Sequence, residues 1–120
     1  MDTKETVLVV DDDREIVGAI ALALEKEGYR VLRAYDGMEA LDHALDPELR
    51  LILMDVMMPV MDGLTAAREI HATNRVDAAE IPIFAMTANA FYDDVRQSRE
   101  AGMVEHLSKP IQEQELLDAI

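Results

Sequence analysis

Short apolar runs alternate along the chain with segments whose apolar positions recur at helical spacing. Val7–Val10 is a β-branched run that stops at Asp11. Ile16, Ile20, Ala23 and Leu24 then recur as the stripe of a helix, and Gly28 stands where that helix would stop. Arg30–Tyr35 reads as a second strand, and Asp36 with Glu39 three residues on forms a capping box. The helix it opens carries the stripe Ala40, Leu41, Ala44 and Leu45 and is closed by Pro47. Leu51–Met54 is a fully apolar third strand ending at Asp55, and Asp62 with Gly63 opens a helix to about Thr73, with Leu64, Ala67 and Ile70 inward. Ile81–Met86 is a fourth strand ending at Thr87. Phe91, Val95 and Ser98 space out the next helix, which ends near Gly102. Met103–Leu107 is a weaker fifth strand before Lys109 and Pro110, and Glu113–Ile120 begins a last helix.

Five β–α units of this kind predict a parallel sheet covered by helices on both faces, with right-handed crossovers. Ligands of such sheets sit outside the carboxyl ends of the strands. Asp11, Asp12, Asp55, Thr87 and Lys109 all stand at or just past strand ends, so the fold would bring them to one edge.

Composition narrows the picture. The 120 residues, half of them apolar and 30% charged, suit a single domain over residues 1–120 and argue against disorder. There is no cysteine, hence no disulfide framework or thiol site. No apolar run approaches the ~18–20 residues that cross a bilayer, and Met1 to Thr6 is polar and unlike a signal peptide. A cytoplasmic domain without membrane contact is expected. The net charge of −14, from 25 acidic and 11 basic residues, repels nucleic acid and favours cations or basic partner surfaces.

Three carboxylates in one crevice repel one another unless a cation intervenes. Mg²⁺ suits them, because it prefers oxygen and keeps several waters, so one or two carboxylates suffice. Asp12 and Asp55 are the expected ligands, with Asp11 beside them to hold a metal-bound water. As a nucleophile Asp55 needs no general base; its difficulty is approaching an anionic phosphoryl group. A divalent metal and the cation of Lys109 remove that repulsion, the Thr87 hydroxyl can donate to a phosphoryl oxygen, and small Ala88 leaves the group room. The product would be an aspartyl phosphate. Taken singly, each residue has an ordinary reading. Asp12 with Glu15 fits a capping box, Asp55 a turn after a strand, Thr87 a helix cap, Lys109 a solvated lysine and Pro110 a helix start. The signal lies in the joint pattern.

The segments VLVVDDD (7–13), LILMDVMMPVMDG (51–63), IFAMTANA (83–90) and AGMVEHLSKPI (101–111) resemble the receiver domain of two-component response regulators and hybrid histidine kinases, over essentially the whole chain. The wording of the last two segments is most like receivers of hybrid kinases. The resemblance implies the flavodoxin-like doubly wound five-stranded sheet, order 2-1-3-4-5. It places the acidic pair on Asp11 and Asp12, the phosphoacceptor on Asp55, a Mg²⁺-binding backbone carbonyl on Met57, the switch hydroxyl on Thr87 and the phosphate-pairing lysine on Lys109. It makes Lys109–Pro110 a cis-peptide candidate. Mn²⁺ is expected to substitute for Mg²⁺.

One position departs from the pattern. Where the family carries Tyr or Phe as a switch ring, this chain has His106, which can mimic the flat shape yet charges near pH 6.5. Only weak conformational change is expected there. Met57 and Asn89 fall on the positions that tune phosphoryl lifetime, and Met57, unable to orient water, predicts slow autodephosphorylation.

The implied partner is a histidine kinase or histidine phosphotransfer domain, docking near the first helix and the loop after the fifth strand. Val17 and Ala21, off the core stripe, are expected to offer its apolar contact. Phe91, Tyr92 and His106 would lie near the output face. The chain is expected to be a monomer or weak dimer, and the last helix, stopping at Ile120, to be cut short as in an excised domain. Two other readings remain. Asp11-x-Asp13 superficially fits the nucleophile motif of haloacid-dehalogenase-type phosphatases, and the fold could serve as a binding module that is never phosphorylated.

Overall fold

The computed structural model describes residues 5–55, 63–72, 81–87, 103–109 and 111–120. Five strands, β1 (Thr6–Val10), β2 (Arg30–Ala34), β3 (Leu49–Asp55), β4 (Ile83–Thr87) and β5 (Met103–Ser108), form one sheet. The described helices are α1 (Arg14–Lys26), α2 (Gly37–His43), α3 (Gly63–His71) and α4 (Glu113–Ala119). All strand pairs are parallel and the order is β2-β1-β3-β4-β5, the expected doubly wound topology.

Side chains on a strand alternate between faces, and here the alternation sorts two cores. Val7, Val9, Leu51, Leu53, Phe84 and Met86 pack with Val17, Ile20 and Leu24 of α1 and Leu116 of α4. Leu8, Val10, Ile52, Met54, Ile83 and Ala85 pack on the other face with Ala40 of α2 and Ala66, Ala67 and Ile70 of α3. With both faces covered, β1 is buried throughout, which is why its sequence reads as an uninterrupted apolar run.

Element ends shift slightly from the sequence reading. β4 starts at Ile83 rather than Ile81, because Pro82 has no N–H for the ladder; its carbonyl still accepts from Ile52. β3 begins earlier, at Leu49, which is fully buried and pairs with Thr6. Gly28 has φ 94°, a left-handed residue just past α1 where glycine carries no steric penalty.

Two predicted stripes are corrected. Val17 and Ala21 do not lie off the core stripe of α1: both are fully buried, and the inward set is Val17, Ile20, Ala21 and Leu24, at i, i+3, i+4 and i+7, together with the expected Ala23. Ile16, taken as inward, is half-buried at the edge. Leu45 is 59% exposed, because α2 ends at His43 and the chain turns away before it. The helix predicted from Phe91 to Gly102 falls outside the described residues, as do Met57, Asn89, Tyr92 and Pro110, so the cis-peptide expectation at Lys109–Pro110 is not addressed.

Candidate active site

The ladder between β1 and β2 runs one residue past Val10: the Asp11 amide donates to the Ala34 carbonyl at 3.2 Å. This bond fixes Asp11 at the carboxyl edge of the sheet, with its side chain fully buried. Its Oδ1 accepts the backbone N–H of Asp13 at 3.0 Å. Asp13, not Asp12, is the N-cap of α1, and its Oδ1 accepts from the amides of Glu15 at 3.0 Å and Ile16 at 3.4 Å. The capping-box reading of Asp12 with Glu15 is thereby corrected. Asp12 is exposed and is not the residue that caps the helix.

Asp55 closes β3, buried and in register with Met86. One carboxylate oxygen each from Asp11, Asp12 and Asp55 lies within 4.8 Å of the others. Lys109, just past β5, reaches back into this group: its Nζ is 2.7 Å from Asp11 Oδ2 and 3.3 Å from Asp55 Oδ1. Burial pulls the Lys109 ammonium down, but the hydrogen bond to Asp11 and the charges of Asp55 and Asp11 outweigh it, so its pKa is raised. Thr87 closes β4 one residue beyond the partner of Asp55 and pairs with Ser108, the neighbour of Lys109. The backbone therefore sets residues 55, 87 and 109 on three adjacent strand ends.

The donor set fits a divalent cation. Three carboxylates against one ammonium leave two negative charges, and every ligand atom is a hard oxygen. Asp11 Oδ2 is buried against the Lys109 ammonium at 2.7 Å.

Beside the acidic group is a hollow of about 260 Å³, floored by Ile16, Ala19, Ile20 and Ile111, with Asp13 and Lys109 at its rim. Sequence reasoning missed two neighbours. The capping box is read on Asp12 and Glu15, with Asp13 singled out only in the Asp11-x-Asp13 motif, although Asp13 directly precedes the first turn of α1, where a cap belongs. Arg14 places its guanidinium 4.0 Å from the centroid of the Tyr35 ring, a cation–π pair between α1 and the end of β2 that no local pattern announces.

The model of the response regulator receiver domain matches residues 7–120. The chain belongs to that family. Among solved structures, the receiver domain of the sensor histidine kinase PA1611 from Pseudomonas aeruginosa PAO1, with a magnesium ion coordinated in its active-site cleft, is 36% identical, with a TM-score of 0.84 and coverage of 98% of this chain and 94% of that one. The chemotaxis protein CheY4 of Vibrio cholerae is 29% identical, with a TM-score of 0.91 over 98% of this chain and 96% of that one. The transcriptional regulatory protein CpxR of Escherichia coli K12 is 36% identical over 114 residues, 95% of this chain and 47% of CpxR. The chain thus spans about half the length of the curated relatives it matches. Receiver domains are the phosphoacceptors of two-component signalling, working with histidine kinases or phosphotransfer proteins. Among the described residues no helix is long and apolar enough to cross a membrane.

Proposed function

We propose that this receiver takes a phosphoryl group from a phosphohistidine onto Asp55. The carrying observation is the position of Lys109 Nζ, 3.3 Å from Asp55 Oδ1 and 2.7 Å from Asp11 Oδ2. An ionised Asp55 oxygen attacks phosphorus, the new O–P bond forms as the P–N bond breaks, and the electron pair leaves with the imidazole. Lys109 holds positive charge where the phosphoryl oxygens arrive, and Thr87 donates its hydroxyl to one of them. Asp12 and Asp55, with the Met57 carbonyl and with Asp11 steadying a bound water, would hold Mg²⁺, which supplies charge neutralisation of the phosphoryl oxygens. His106 plays at most a small part in the switch, and Asn89 tunes the lifetime with Met57. The domain catalyses only its own phosphorylation and dephosphorylation.

The donor is a histidine kinase or histidine phosphotransfer domain. Its helix is received by Ile16, Ala19, Ile20 and Ile111 rather than by Val17 and Ala21, which are sealed in the core. The net charge of −14 favours a basic docking face. The domain works as a monomer or weak dimer in the cytoplasm.

Incubation with acetyl phosphate and Mg²⁺, followed by intact mass, tests the acceptor. One added phosphoryl group in the native chain, absent in Asp55→Asn, is expected; no gain with any donor would favour an inert binding module. Slow loss of the label is expected, and decay within seconds would contradict the role given to Met57. The phosphatase reading is disfavoured because Asp13 is engaged as the α1 cap. Turnover of a generic phosphoester would revive it.

A further inference from the structure

We propose that Asp13 is a positioning residue for the metal site: by capping α1 with its side chain and holding Asp11 with its amide, it leaves the Asp12 carboxylate free to ligate. The proposal rests on the reading that these carboxylates bind Mg²⁺.

Three successive aspartates follow β1, and the structure gives each a different task. Asp11 is buried and tied to β2 through its own amide. Asp13 has φ −86° and ψ 106°, extended rather than helical, and its Oδ1 accepts from Glu15 and Ile16 while its carbonyl accepts from Val17 as the first helical bond. Those contacts fix the direction of the Asp13 N–H, which donates to Asp11 Oδ1 at 3.0 Å. Asp12 lies between two clamped residues. If Asp12 capped the helix, its oxygen would be bonded to amides and withdrawn from the metal. Shifting the cap by one residue separates holding the corner from binding the cation. Groups that orient metal ligands in this way typically govern affinity ten- to a hundred-fold when removed.

The test measures Mg²⁺ binding by calorimetry on the native chain and on Asp13→Ala, Asp13→Asn and Asp13→Gly. Asn keeps the cap without the charge. Gly removes the side-chain acceptor but is tolerated at an N-cap with little loss of helix stability, so the variant stays folded. Asp36→Ala is the control: it removes the equivalent cap of α2, where Asp36 accepts from Glu39 at 2.8 Å, and Asp36 is not one of the three clustered carboxylates. Expected are native affinity in Asp13→Asn and Asp36→Ala, and Mg²⁺ affinity lowered roughly ten-fold in Asp13→Ala and Asp13→Gly. Native affinity in Asp13→Gly would overturn the proposal. So would an Asp13→Asn as weak as Asp13→Ala, which would make the effect one of charge, or an equal loss in Asp36→Ala, which would make it one of general stability. Failure of the native chain to bind Mg²⁺ would instead sink the metal-site reading beneath it.

Discussion

Two groups of ion pairs in this molecule have similar lengths and very different surroundings. Arg30 on the edge strand β2 approaches Asp46 at 3.5 Å and Glu48 at 3.3 Å, with 54% of its side chain exposed. Lys109 approaches Asp11 at 2.7 Å and Asp55 at 3.3 Å, but Asp11 is fully buried and Asp55 nearly so. Water can solvate Arg30 and its partners if the contact breaks. It cannot do so for Asp11, which is fully buried beside another carboxylate. Distance alone therefore does not set the worth of an ion pair; the alternative available to each partner does. The same crowding that makes the buried group need a cation keeps three carboxylates and a lysine together at one edge of the sheet.

The largest effect should come from removing the buried cation. Lys109→Met keeps the length of the stem and leaves Asp11 and Asp55 facing each other. Breaking a fully buried pair costs about 3–5 kcal/mol; Lys109 is 20% exposed, so a loss of roughly 2–3 kcal/mol is expected in chelator, read as a lower urea midpoint. Saturating Mg²⁺ should return most of it, since a ligand at a hundred times its Kd adds about 2.7 kcal/mol. An unchanged midpoint in chelator would show that the two carboxylates do not need Lys109.

The alkaline limb sharpens the same contrast. The folded pKa of Lys109 is raised, net of the opposing pull of burial, by its hydrogen bond to Asp11 and the nearby carboxylate charges. A lysine titrates near ~10.4 when unfolded. A group whose folded pKa is higher than its unfolded one contributes stability that is fully present below the unfolded value and is lost as pH rises through the folded value. The stability gap between the native chain and Lys109→Met should therefore stay level from neutral pH to about 10 and close above that. A gap that closes below pH 9 would contradict the raised value.

Much of this was legible in the residue order. Parallel strands buried on both faces announce themselves as apolar runs, so β1, β3 and β4 and their terminal Asp11, Asp55 and Thr87 could be read directly. The rotation of α1 could not. Ile16, Val17, Ile20, Ala21, Ala23 and Leu24 satisfy helical spacing in two overlapping ways; packing against β1 and β3 selects Val17, and Ala21 is buried with it. The choice among Asp11, Asp12 and Asp13 was ambiguous for a related reason. All three are good caps by composition, and the start of the helix at Arg14, a matter of one residue, decides which carboxylate is used. Contacts between distant segments, such as Arg14 on Tyr35, leave no local trace.

The smallest effect belongs to the exposed group, and it is the one that can break the comparison outright. Arg30→Ala removes both surface contacts at once. Exposed pairs contribute about 0–1 kcal/mol each, because the Coulomb gain is offset by solvent and by ordering two long side chains. A loss below about 0.5 kcal/mol is expected, shrinking further in 1 M NaCl, where the screening length falls to about 3 Å. The Lys109→Met loss should change far less over the same salt range, since ions cannot enter between Lys109 and a fully buried Asp11. Parallel urea titrations of the two variants at low and high salt measure both effects in one experiment. Equal losses, or equal salt sensitivity, would mean that burial does not separate the two groups and that Asp11 and Asp55 are better solvated than their packing requires.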